Sequence, residues 1–90
     1  MIESWMTKEI KPHFDRRFAQ EYTILVMTEL VCKVMKDKNT SRDELSKKMD
    51  ITEEHLNKML DGEDTLTIRT FSDMLFHLGY VPEMEVIPRK

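Results

Sequence analysis

The chain has little of what builds most small active sites. Its 90 residues include one cysteine, two glycines, three prolines and three histidines. A lone cysteine excludes an intrachain disulfide framework and points to a reducing, cytoplasmic setting. Cys32 has no His or second Cys near it in sequence, so it reads as a small buried hydrophobe rather than a reactive thiol. His13, His55 and His77 are too scattered to match a metal-ligand spacing, and there is neither a glycine-rich phosphate loop nor a nucleophile elbow. No enzymatic activity, cofactor or metal is therefore expected. No stretch approaches the roughly 18 to 20 apolar residues needed to span a bilayer, so the chain is expected to be soluble, with no membrane partner.

What is present suits one small core. Hydrophobic residues make up 40% of the 90, enough for a single domain of modest stability, the size at which oligomerisation often helps. Eight methionines are many for this length; most fall on apolar stripes and read as adaptable core filler. Residues 1–11 read as an arm, with Trp5 and Ile10 available to dock on the body, and 12–80 as the domain. Between Pro12 or Phe14 and Lys38 nothing breaks a helix. Phe14, Phe18, Tyr22, Leu25 or Val26, Glu29 or Leu30 and Val34 trace one apolar stripe, and Ile24, Met27, Val31 and Met35 a second. The spacing predicts one long helix buried on more than one side, or two helices with a bend near Thr23.

The next segment, SRDELSKKMDITEEHLNKMLDG from Ser41 to Gly62, carries the sharpest local signals. Ser41 followed three residues later by Glu44 is a capping box, so a helix should begin near Arg42. Leu45 and Met49 give it one apolar face, with Arg42, Asp43, Lys47 and Lys48 on the wet side. Asp50, Ile51 and Thr52 form a break; Ile51 can plug the space between helices and Thr52 can cap the next one. Leu56, Met59 and Leu60 recur at helical spacing, and Gly62 stands where a left-handed cap would close a helix ending near Asp61. Two helices this short need a platform from the rest of the chain.

Thr67 can cap a further helix through Leu78, with Ile68, Phe71, Leu75 and Leu78 as its stripe, Met74 on the flank and Gly79 as its stop. The tail, residues 81–90, contains Pro82 and Pro88, with Met84 and Val86 alternating between acids, a pattern compatible with one short strand. A lone strand must run as an extended tail or pair with the same strand of a second copy.

LSKKMDITEEHLNKMLDG, followed by TLTIRTFSDMLFHLGY, resembles the XRE-type, lambda-repressor-like helix-turn-helix family, most of all its branch of small HigA-like antitoxins and phage regulators. The resemblance covers residues 14–88 and is most specific over Ser41 to Gly79. Leu45, Ile51, Leu56 and Met59 match the family's core positions, Ser46 its small residue where two helices cross, Gly62 its closing glycine, and Thr70 and Phe71 the pair opening the following helix. Asp50 departs from the glycine usual in the turn. The resemblance implies an all-α, lambda-repressor-like bundle of four to five helices with a short extended or β C-terminal tail. It also implies that the helix from Glu53 enters the major groove of double-stranded DNA. Glu53, His55, Asn57 and Lys58 are then the candidate base contacts, with Asn57 suited to adenine and Glu53 or Glu54 to a cytosine amino group. Ser41, Arg42, Lys47, Lys48 and Thr52 are the candidate phosphate contacts. Glu53 and Glu54 have a simpler reading too, as acids complementing a helix N-terminus, and each lysine as part of a solvated face.

Charge complicates the picture. Residues 40–62 hold four bases (Arg42, Lys47, Lys48, Lys58) against six acids (Asp43, Glu44, Asp50, Glu53, Glu54, Asp61), whereas 8–48 is net +3 and 49–90 net −5. Phosphate neutralisation dominates DNA affinity, so the motif alone should bind weakly and lean on basic residues before Met49. Two functions follow from the resemblance. One is a dimeric transcriptional regulator, repressing from a palindromic operator in a bacterial or phage-infected cell. The other is an antitoxin or other protein-binding module that neutralises a partner toxin, with DNA binding secondary or lost. Phe76, Tyr80, Val81, Met84 and Val86, left over from the helical stripes, are candidates for the homodimer or partner surface; the alternative is that they complete the core against the first helix.

Overall fold

A computed structural model describes residues 15–88; the arm, Pro12, His13 and Phe14, and the last two residues lie outside this range. The described chain is all-α: α1 (Arg16–Asp37), α2 (Arg42–Met49), α3 (Glu53–Leu60) and α4 (Ile68–His77), with no strand among the described residues.

Each helix starts on a side-chain cap. Asp15, Ser41, Thr52 and Thr67 stand in extended conformation and accept from the amides of Phe18, Glu44, His55 and Thr70 respectively. These bonds satisfy donors that the helix leaves unpaired in its first turn. At Ser41 the box is closed in both directions, Glu44 Oε1 accepting from the Ser41 amide at 2.8 Å.

Each helix also ends the same way. Thr40, Ile51, Glu63 and Tyr80 donate backbone N–H bonds to the carbonyls five residues earlier, of Met35, Ser46, Lys58 and Leu75, at 2.8–3.0 Å. That closure is the Schellman motif, and it needs a left-handed residue just before the donor. Asn39 (φ 54°), Asp50 (φ 58°), Gly62 (φ 81°) and Gly79 (φ 88°) fill those four positions. Both glycines of the chain are thus spent on helix stops, and the other two stops fall to Asn and Asp, the side chains that best tolerate this region.

The core is built from Met27, Val31 and Met35 of α1, Leu45 of α2, Leu56, Met59 and Leu60 of α3, and Phe71, Met74, Leu75 and Leu78 of α4 and its cap. α4 packs on α1 and α2, and α3 on α2 and α1. Cys32 is half-buried and packs against this cluster, as do Leu30 and Val34.

Two expectations are corrected, and a third is decided between its alternatives. α1 is one helix, continuous through Thr23, and it buries a single face, which lies in its C-terminal half; Phe18 and Ile24 remain more than a third exposed. The reason is reach: α1 has 22 residues and is about 33 Å long at 1.5 Å per residue, whereas its partners have 8 to 10. Ile68 continues the stripe of α4 in sequence but is 71% exposed, one turn before Phe71 enters the core. Residues 80–88 carry no regular secondary structure, so of the two forms expected for the tail, the strand is absent from the described residues.

Candidate nucleic-acid interface

α2 and α3 are joined by three residues, Asp50, Ile51 and Thr52. The left-handed Asp50 turns the chain, the Ile51 amide returns to Ser46, half-buried Ile51 packs against the core, and Thr52 starts the next helix. Ser46 is 2% exposed, and its hydroxyl donates to the Asp43 carbonyl at 2.8 Å. A small side chain satisfied within its own helix leaves no polar group stranded in the buried α2 surface.

α3 divides cleanly. Leu56, Met59 and Leu60 are buried, while Glu53, Glu54, His55 and Lys58 are exposed and Asn57 is half-buried. Glu53 and Glu54 occupy the first turn, where carboxylates complement the positive helix end whatever else they contact. Ser41 and Thr52 both use their hydroxyl oxygens to cap; the Thr52 hydroxyl proton remains available as a donor, whereas that of Ser41 faces the Glu44 carboxylate.

Most of the cations over this stretch are already partnered. Arg42 Nη1 lies 3.2 Å from Asp61 Oδ1, Lys47 Nζ 3.2 Å from Asp43 Oδ2, and Lys58 Nζ 3.8 Å from Glu54 Oε2. His55 Nε2 stands 3.6 Å from Asp64 Oδ2, a pairing that carries charge only when the imidazole is protonated. Lys48 makes no ion pair among the described residues. These surface pairs contribute little to stability, yet each carboxylate offsets a positive charge that a phosphate would use.

The candidate residues therefore fall into two groups. Glu53, His55, Asn57 and Lys58 lie on α3, which Thr52 caps and to which the partnered cation Arg42 reaches across from the start of α2, whereas Lys47 and Lys48 stay on α2 and Ser41 at its cap. Asp61 and Asp64 were not among the candidates, although they hold Arg42 and His55. The four-residue spacing of Asn57 and Asp61 puts both on one side of α3, but only the crossing of α2 over α3 brings Arg42 to them.

The C-terminal candidates behave differently. Phe76, Val81, Met84 and Val86 are 61–95% exposed and Tyr80 42%, so none completes the core against α1. Lys38 stands 5.9 Å above the Tyr80 ring, a cation–π contact tying the start of the tail to the end of α1.

Among the described residues no three His, Cys, Asp or Glu side chains are grouped to hold a metal ion, and no helix is long and apolar enough to cross a membrane. Comparison with family models, with curated proteins and with solved structures finds no match to this chain.

Proposed function

We propose that this chain is a DNA-binding transcriptional regulator of the lambda-repressor-like helix-turn-helix kind, acting as a homodimer on a palindromic operator. One observation carries the reading. A capped pair of eight-residue helices is joined by three residues, and the outer side of the second presents Glu53, Glu54, His55, Asn57 and Lys58, with the bundle on its other side. Such a helix can lie in a major groove, with Asn57 and Lys58 near base edges and Lys48 beside a phosphate. The surface from Phe76 to Val86 serves as the dimer contact in this reading, and a two-fold dimer would match a palindromic site. No catalytic role is assigned.

A second reading is favoured by charge. Three of the four Lys and Arg side chains on residues 40–62 are paired with carboxylates, which suits a module that binds another protein, such as a toxin, better than one that neutralises many phosphates. Large exposed apolar side chains at the C-terminus give that reading its docking surface.

A mobility-shift titration on the DNA upstream of the gene, run at two salt concentrations, separates the two. The regulator reading expects a shift that weakens with salt and that is lost when Asn57 and Lys58 are both replaced by Ala. No shift at low salt, or one unchanged in the double variant, overturns it, and a stable copurifying protein then supports the second.

A further inference from the structure

Arg42 stands at the start of α2, where a basic side chain is most simply read as a phosphate contact. Its geometry gives it a task inside the protein as well. One guanidinium nitrogen, Nη1, donates to Asn57 Oδ1 at 3.0 Å and to Asp61 Oδ1 at 3.2 Å. The two acceptors lie four residues apart, one turn along α3, so they face the same way. Arg42's side chain is only 33% exposed. Its charge is compensated by Asp61, and both protons of Nη1 are taken.

Asn57 is oriented by the same contact. Its Oδ1 is tied back to α2, while its Nδ2 makes no hydrogen bond among the described residues and is not buried. The Arg42 bond occupies one of the two lone pairs of Oδ1 and turns the oxygen toward α2, so the accessible NH2 group is the less committed end of the amide.

We infer that Arg42 is a positioning residue that locks Asn57 as a hydrogen-bond donor, and so sets which base α3 prefers. The inference rests on the DNA-binding reading above. A free asparagine pairs with adenine by accepting from N6 and donating to N7; an amide whose oxygen is drawn away and whose NH2 leads favours guanine, whose N7 and O6 are both acceptors, over cytosine, which offers only a donor. Asp61 belongs to the device, because it accepts from the same Nη1 and so holds the guanidinium beside Asn57.

The test has two arms. In the first, wild type and Arg42→Met select sites from a randomised DNA pool, and their affinities are compared over a range of salt. The expected result is a change of preferred base, from guanine in the wild type to adenine in R42M, by about fivefold or more, with the same salt dependence. A uniform loss of affinity across sequences, with a shallower salt slope and an unchanged base preference, marks Arg42 as a phosphate contact and overturns the inference. In the second arm, the side-chain NH2 of Asn57 is followed by 15N relaxation in the free protein. It should be as ordered as the backbone in the wild type and become mobile in R42M and in Asp61→Ala. An amide already mobile in the wild type overturns the positioning role whether or not DNA binds. A wild type that retains no DNA from the pool overturns the DNA-binding reading and, with it, the base preference; the amide measurement still decides whether Arg42 holds Asn57.

Discussion

The Ile51 amide donates to the Ser46 carbonyl at 3.0 Å across Asp50, which stands at φ 58° and ψ 45°. Together with the Asp50 amide on the Lys47 carbonyl, this bond closes α2 at the turn into α3. A non-glycine residue pays roughly 1–2 kcal/mol for left-handed backbone, less for Asp, while glycine costs about 0.4–1 kcal/mol through the freedom it adds to the unfolded chain. Asp50→Gly should therefore change stability by no more than about 1 kcal/mol, and upward if strain outweighs chain entropy. Asp50→Val, whose β-branched side chain is poorly tolerated at positive φ, should be less stable than both the wild type and Asp50→Gly. Urea midpoints with an unchanged slope are the readout, and a Val variant as stable as the wild type would contradict the role given to this position.

The capping box at Ser41 gives a pH signature. The Glu44 carboxylate accepts from the Ser41 amide, and this backbone bond first, with hydrogen bonding from the Ser41 hydroxyl second, holds its carboxyl below its ordinary value of 4.5. A carboxyl depressed in the folded state stabilises above its unfolded pKa, and that stabilisation is lost as pH falls through the folded value. Glu44→Ala should thus be less stable than the wild type at neutral pH, with the gap narrowing as the solution is acidified below about 4.5. Parallel denaturation curves at neutral and acid pH test this, and a gap that widens in acid would refute it.

These local devices were legible in the sequence because each is completed within a few residues: Ser41 with Glu44, Thr52 with His55, Gly62 and Gly79 with the turns they close. Lys36, Asp37, Lys38 and Asn39 read as the polar close of α1, but the sequence does not single out Asn39 as the left-handed residue, because any of the four could turn the chain. What needed the whole fold was not legible. Arg42 meets Asn57 and Asp61 across 15 and 19 residues, a contact fixed by the crossing of two helices rather than by any spacing. The half-burial of α1 likewise depends on how far its shorter neighbours extend, which periodicity cannot report.

Phe71 and Ile68 separate true core from apparent stripe. Phe71 is fully buried and Ile68 is 71% exposed, though both lie on the apolar stripe of α4 read from the sequence. Phe71→Ala should cost about 3–5 kcal/mol, a large part of the stability of so small a domain. Ile68→Ala should stay within about 0.5 kcal/mol of the wild type. Thermal melts of the two variants decide it; comparable losses would mean that Ile68 is covered in solution, by the tail or by a second copy.

The C-terminal surface gives the prediction that bears most directly on assembly. Val86 is 95% exposed and Met84 61%, a degree of apolar exposure that invites a partner. If a second copy supplies the cover, Val86→Asp should weaken the dimer while leaving the monomer fold unchanged, because neither side chain belongs to the core. Sedimentation velocity over a range of concentrations would show the wild type as a dimer and V86D shifted toward monomer, with superimposable far-UV spectra. A dimer of equal strength in V86D would move the interface away from the tail. A wild-type monomer at every concentration would leave the apolar surface to a partner of a different kind, and would favour the protein-binding reading over the regulator.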